Sequence, residues 1–287
     1  MIKNIVFSGA GLRIYTFVGF IKALNEHNLL KHITSVIGTS SGSLIAVLCV
    51  LNFSYKEIEE IVLKINASNL KNINSENIIN FFSDYGIDDG KNFERIIKII
   101  LNIKVKNDNI TFKELYEITN KKLIITATCV NSMDIEFFDH ISTPDIPIIK
   151  VLLMSISIPI IFKPVKLDNK YYVDGGMISH YPIDYFKDYK NETIGILVTS
   201  SLNNSKEINN IKDYIYNIMS CPFINLIKNC YNNYKENTVL VENNNVNFLD
   251  FNIEYNTKIG LIEEGYRMTI EKITSTDFKQ TFLERTD

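Results

Sequence analysis

The sequence predicts an α/β fold: one three-layer α/β/α domain with a mainly parallel central sheet, spanning residues 1–287. Three observations carry this expectation. A strand, a glycine turn and a helix occur twice in succession within residues 1–51, and tandem units of that kind build a parallel sheet covered on both faces. Apolar, β-prone segments go on alternating with helically spaced ones to the end of the chain. No internal repeat and no Pro/Gly/Ser-rich linker divides it.

Residues 2–7 form a short β-prone run that closes in Ser8-Gly9-Ala10-Gly11. Residues 16–27 then place Phe17, Phe20, Ile21 and Leu24 on one helical face. Residues 33–37 read as the second strand, 38–42 as a turn and 43–51 as an almost wholly apolar helix. Segments 54–65 and 93–101 have helical spacing, and the polar stretch 66–80 between them reads as a surface excursion of the length at which lids occur. A strong strand is expected at 123–130, a shorter one at 135–138, and a helix at 147–157 closed by Ile158-Pro159. Residues 165–167 and 171–173 flank Asp168-Asn169-Lys170 as the arms of a hairpin do. A strand at 193–199, a helix at about 208–231, strands near Val239 and Phe248, and a helix at 258–273 complete the pattern.

Composition narrows the function classes. With 46% hydrophobic and 22% charged residues the chain lies far from the disordered regime. A net charge of −3 argues against a partner in nucleic acid, which needs a basic excess to neutralise phosphates. Cys49, Cys129, Cys221 and Cys230 form no C-x-x-C pair and no metal-ligand spacing, so no metal site and reduced thiols are expected. The opening Met1-Ile2-Lys3-Asn4 runs into a strand without the features of an export signal, which sets the expectation of an intracellular, cytoplasmic protein. The most apolar stretch, 35–53, is interrupted by Gly38-Thr39-Ser40-Ser41-Gly42-Ser43 and reads as turn and buried helix, not as a membrane span. The abundance of Asn, Ile and Lys reflects coding-base composition more readily than function.

Three constellations carry chemistry. Gly38-Thr39-Ser40-Ser41-Gly42 satisfies G-x-S-x-G where a strand ends and a helix begins, the setting of a nucleophile elbow. A serine at the tip of so tight a turn needs small neighbours, and the helix N-terminus beneath it favours developing negative charge. The plainer reading is a βα turn whose Ser40 caps the helix. Ser8-Gly9-Ala10-Gly11-Leu12-Arg13 is a second glycine turn, fit to cradle an oxyanion, with Arg13 either aiding the anion or simply solvated. A dinucleotide site is disfavoured: Ile14 occupies the third glycine position, and the second strand ends in Ile37-Gly38 without a ribose-binding acid. Tyr171-Tyr172-Val173-Asp174-Gly175-Gly176 sets an acid between a β-prone run and two glycines, an ordinary Asp-Gly turn if it stood alone. Here it follows Ser155-Ile156-Ser157-Ile158-Pro159.

Taken together these residues resemble the patatin-like phospholipase family. The resemblance extends through Tyr85-Gly86-Ile87-Asp88-Asp89-Gly90, the S-x-S-I-P stretch and Tyr181-Pro182, with Ala10, Ile14 and His180 standing where the family commonly has glycine, glycine and asparagine. It implies a lipid acyl hydrolase that needs no cofactor. Ser40 would be the nucleophile in an elbow framed by Gly38 and Gly42. Asp174, in the Asp174-Gly175-Gly176 motif, would be its base, and Gly9, Ala10, Gly11 and Arg13 would form the oxyanion hole. A lipid ester would be met at a peripheral membrane or micelle surface. Two rivals remain at this level. One is a catalytically silent lipid- or protein-binding module, against which the presence of both Ser40 and Asp174 argues. The other is a Ser40, Asp174, His180 triad, disfavoured because α/β-hydrolases place several strands before the elbow and here one strand and one helix precede it. His27, His32 and His140 read as surface groups.

Overall fold

Strands that read as unbroken apolar runs become the middle of the sheet. The computed structural model describes residues 1–65, 70, 72, 79–202, 207–246 and 252–282. Among the described residues its main sheet has eight strands. Five are parallel, in the order β10 (Thr238–Glu242), β9 (Thr193–Thr199), β1 (Asn4–Phe7), β2 (Ser35–Gly38) and β4 (Lys122–Cys129). Every residue of β1 and β9 is buried, as expected of strands covered on both faces. Alternation assigns their side chains to two layers: Ile5 and Phe7 join one apolar cluster and Val6 the other, and Ile196 and Leu197 divide in the same way. The larger layer holds the helices Tyr15–Glu26, Ser41–Val50, Ile148–Ile156 and Tyr255–Thr274; the smaller is built from the segment after Tyr181 and the helix Ile211–Asn233. The result is the three-layer α/β/α arrangement.

β4 carries the feature on which the site depends. Ile125 pairs with Gly38 of β2 and also with Phe138 of β5 (Asp134–Phe138), so these two strands occupy opposite edges of β4. β5 stays on its edge from Ile125 to Cys129, and β8 (Lys170–Asp174) pairs antiparallel with Ala127 to Cys129. β8 therefore lies on the edge that β2 has just vacated. β2 ends opposite Ile125 and Asp174 sits opposite Ala127, two residues farther along the same edge. β7 (Val165–Leu167) completes the hairpin with β8.

Most expected elements are present with ends moved by a few residues. Unforeseen are β3 (Gly86–Asp88) and β6 (Ile160–Phe162), which pair in a separate parallel ribbon and are too short to show a period. The Phe112–Thr119 helix was also not anticipated, although Thr111 and Glu114 form a full capping box at its start. Most of the expected excursion over 66–80, and the strand near Phe248, lie outside the described residues. Among the described residues no helix is long and apolar enough to cross a membrane.

The Tyr15–Glu26 and Tyr255–Thr274 helices cross at backbone distance. A Cβ on Gly19 would stand 2.0 Å from the carbonyl oxygen of Ile262, and one on Gly265 would stand 2.1 Å from that of Thr16. Gly260, on the same helix, has nothing within 4 Å of such an atom. Gly19→Ala is therefore expected to lower the unfolding free energy by about 1–3 kcal/mol through overpacking. Gly260→Ala should instead raise it by about 0.5–1 kcal/mol, the usual gain in a helix interior. Urea denaturation of the two variants checks the pair of signs.

Candidate active site

The elbow begins where β2 runs out at Gly38. The backbone must reverse at once into the Ser41–Val50 helix, and Ser40 takes the strain with φ 54° and ψ −129°. Such a conformation costs a non-glycine residue about 1–3 kcal/mol and persists only when its surroundings enforce it. Here Gly42 N–H donates to Thr39 O at 2.9 Å, and Ser43 donates to Ser40 O through both its amide, at 2.9 Å, and its hydroxyl, at 2.5 Å. Ser40 N–H donates to the Ser155 hydroxyl at 2.9 Å. The flanking glycines are required by proximity: a Cβ on Gly38 would be 2.3 Å from Gly42 O, and one on Gly42 would be 2.3 Å from Ser8 O.

Ser40 is 8% exposed, and its hydroxyl donates to Asp174 Oδ2 at 2.6 Å. The other carboxylate oxygen accepts Gly176 N–H at 2.7 Å. Burial pushes the Asp174 carboxyl up to about 6, although the bonds from Ser40 and Gly176 pull the other way. Asp174 is held from behind as well, its N–H donating to Ser157 O at 2.9 Å. Gly175 leaves no room beside Thr126, whose hydroxyl is 2.7 Å from that of Thr39.

The Ile148–Ile156 helix thus ends in a clamp on both residues: Ser155 accepts from Ser40, and Ser157 accepts from Asp174. Sequence reasoning did not assign these two serines a part. The S-x-S-I-P stretch was visible, but a side-chain acceptor for an elbow amide 115 residues away can be recognised only once the helix is placed.

The glycine loop after β1 packs beside the elbow. Its Gly9 N–H is already committed to His180 O at 2.8 Å, so this amide is not among the donors left for an anion. Ala10 N–H reaches the Ser41 hydroxyl at a longer 3.2 Å, and Gly11 follows at φ 56°. Arg13 is not a solvated charge: it is 5% exposed, with Nη1 donating to Asn243 O at 3.0 Å. His180 lies against the loop, where a Cβ on Gly9 would be 3.0 Å from its Nδ1. The Val198 carbonyl, 3.2 Å from Nε2, can only accept, which fixes the proton on Nε2. Burial pushes the imidazole down to about 4, with the charge of Arg13 adding to the effect. His180 is therefore neutral at ordinary pH, and its described ring bond goes to Val198. His27 and His32 are exposed, and His140 stacks on Tyr116 with ring centroids 3.7 Å apart. Among the described residues no cluster of three or more His, Cys, Asp or Glu could hold a metal ion.

Two spaces meet at Ser40. One is a narrow chamber of about 80 Å³ with apolar walls that include Leu44, Val62, Ile97, Leu152 and Phe162. The other is a broad cleft of about 860 Å³, lined by Asp174 and His180, by polar groups such as Arg13, Asp184 and Asn244, and by one side of the Ile211–Asn233 helix.

Comparison with known proteins agrees with this architecture. The description of the patatin-like phospholipase family matches residues 5–187. An uncharacterized protein of Acanthamoeba polyphaga mimivirus is 28% identical over 95% of this chain and 94% of its own length. A protein of Invertebrate iridescent virus 6, named a probable lipid hydrolase, is 32% identical over 66% of this chain and 65% of its own. Among solved structures, VipD from Legionella pneumophila has a TM-score of 0.62 at 17% identity, over 94% of this chain and 66% of that one. The type III effector ExoU of Pseudomonas aeruginosa has a TM-score of 0.54 at 14% identity, over 99% of this chain and 54% of that one. At these identities the structural likeness is one of fold.

The strain at Ser40 predicts an inverted order of stability. At an ordinary position glycine costs about 0.5–1 kcal/mol relative to alanine, whereas at positive φ alanine carries the penalty. Ser40→Gly should therefore be more stable than Ser40→Ala by about 1 kcal/mol, both having lost the bond to Asp174. Thermal and urea unfolding of the two variants measure the difference, and the ordinary order would show that the elbow is relaxed.

Proposed function

Because the chain belongs to the patatin-like phospholipase family, we propose that it hydrolyses carboxylic esters of lipids through a Ser40–Asp174 dyad. The observation that carries this reading is the 2.6 Å bond from the Ser40 hydroxyl to a carboxylate made more basic by burial. The name of the iridescent virus relative, a probable lipid hydrolase, points to the same substrate class.

In the proposed reaction Ser40 Oγ attacks the ester carbonyl while its proton passes to Asp174 Oδ2. The tetrahedral oxyanion is received by the amides of Ala10 and Gly11, with the N-terminus of the Ser41–Val50 helix beneath. For this the long Ala10 bond to Ser41 gives way. Arg13 acts from behind, tying the loop to Asn243 and adding positive potential. Collapse of the intermediate expels the alcohol, which takes the proton from Asp174. Water then attacks the acyl-enzyme, gives a proton to the same carboxylate, and releases the fatty acid as Ser40 Oγ is reprotonated. A carboxyl near 6 suits both transfers: it is ionised at neutral pH yet a far better base than a solvated aspartate.

A triad with His180 has less support, since that ring is neutral, bonds to Val198 and is a weak base at about 4. A silent binding module has less still, because it would have no use for a strained serine bonded to a buried acid. Ser40→Ala and Asp174→Asn are expected to lower kcat by about three orders of magnitude or more in folded protein, whereas His180→Asn should keep activity within severalfold of wild type. Because the base must be ionised, kcat/KM should rise with pH through about 6 and level off above it. Collapse of folded His180→Asn to the level of Ser40→Ala, or a limb centred near the ordinary carboxylate range, would contradict the dyad.

The same reading includes action at lipid surfaces. The Ile211–Asn233 helix lends Phe223, Ile224, Leu226 and Ile227 to the cleft and leaves Ile211, Ile215 and Ile218 exposed to solvent. An apolar row beside the mouth of the site suits adsorption to a lipid aggregate. Specific activity on a short-chain phospholipid should therefore step upward as its critical micelle concentration is crossed. A rate curve that passes smoothly through that concentration would remove the surface from the proposal and leave the hydrolase.

A further inference from the structure

The two spaces at Ser40 differ in kind, and that difference assigns the two halves of an ester. Among the described residues the narrow chamber offers side-chain polarity only from Tyr15, Ser40 and Ser41, so an alcohol or phosphate buried against them would lose its water and gain few partners. A methylene entering it, by contrast, gains about 0.8 kcal/mol, which corresponds to about fourfold in affinity. The broad cleft, about 860 against about 80 Å³, presents Arg13, Asp184, Thr199, Asn217 and Asn244, which suit a hydrated or charged alcohol portion.

We infer that the narrow chamber is an acyl pocket for a single fatty chain, and that Val62 and Ile97 determine the chain length it accepts. The inference rests on the reading of Ser40 as nucleophile: the carbonyl lies at the serine, the chain enters the chamber, and the alcohol leaves through the cleft. A chamber with about a tenth of the cleft's volume suits one chain, which assigns the remainder of a diacyl lipid to the cleft. Val62 and Ile97 are 1% and 3% exposed and come from the Tyr55–Lys64 and Lys91–Val105 helices. The described bonds of Ser40 and Asp174 go to other elements, so the pocket can be resized without removing them.

The test measures kcat/KM across p-nitrophenyl esters from butyrate to palmitate for wild type, Val62→Phe and Ile97→Ala. Filling the chamber with Val62→Phe should cut the long-chain rates by about tenfold or more while butyrate stays within about threefold, moving the optimum to shorter chains. Emptying it with Ile97→Ala should move the optimum about two carbons longer. Opposite shifts are the expected result, and Ile97→Ala alone decides should Val62→Phe fail to fold. Folded variants that label at Ser40 with a fluorophosphonate but keep the wild-type chain-length profile would overturn the pocket and leave the hydrolase reading intact. A wild-type protein in which Ser40 neither labels nor supports hydrolysis at any chain length would overturn both.

Discussion

One edge of β4 serves two strands in turn, and the geometry at Ser40 follows from that handover. β2 pairs along the edge as far as Ile125 and then has to leave it, because β8 arrives from the opposite direction to pair from Ala127 onward. A strand that continued straight would collide with β8. The reversal at Ser40 is thus demanded by the sheet, and the residue at its tip is delivered to the terminal residue of the incoming strand. Backbone hydrogen bonds fix the separation of the two strand ends, which makes a 2.6 Å side-chain contact reproducible across a sequence gap of 134 residues. The end of the Ile148–Ile156 helix adds a second fixture, since one turn of it bonds to the serine through Ser155 and to the aspartate through Ser157.

The electrostatics follow from the same enclosure. A carboxylate in this position is buried and keeps two described donors, the Ser40 hydroxyl and Gly176 N–H. Desolvation outweighs these bonds, so the group ends above the ordinary aspartate range but still ionised at neutral pH. The same burial acts with the opposite sign on His180, which loses its charge and becomes a brace between the glycine loop and β9. One environment therefore makes an acid more basic and a histidine less so, and the pair cannot share a proton relay on equal terms.

What the sequence disclosed and what it withheld divide along physical lines. The elbow was legible because its spacing is local: Gly38 is small since Gly42 O, four residues on, crowds it, whereas the crowding of Gly42 by Ser8 O comes from the end of β1 and shows only in the fold. β1 and β9 were legible because a strand buried on both faces must be apolar throughout. The β3 and β6 ribbon escaped because three residues cannot display a period. The Phe112–Thr119 helix left a readable trace in Thr111 and Glu114 that went unused. The commitment of Gly9 N–H to His180, the clamp of Ser155 on Ser40 and the close crossing of Gly19 with Gly265 were beyond reach, because each joins segments far apart in the chain. The Gly9 bond also changes the count of donors in the loop, a detail that the spacing of glycines could not reveal.

The position of β1 has a consequence for the order in which the protein is made. Its first neighbour, β2, leaves the ribosome soon after it, but more than half of the chain separates it from its second, β9. The loop after β1 depends on that late neighbour: Ser8 N–H donates to Ile196 O, Val198 N–H donates to the Ser8 hydroxyl, and Gly9 N–H needs the carbonyl of His180. Serine and aspartate can thus meet in a nascent chain whose glycine loop still has no fixed place. Closing so distant a pairing is slow compared with local folding. Asp174 leaves the ribosome before β9, so Ser40 can meet it while the loop after β1 still lacks the strand that braces it.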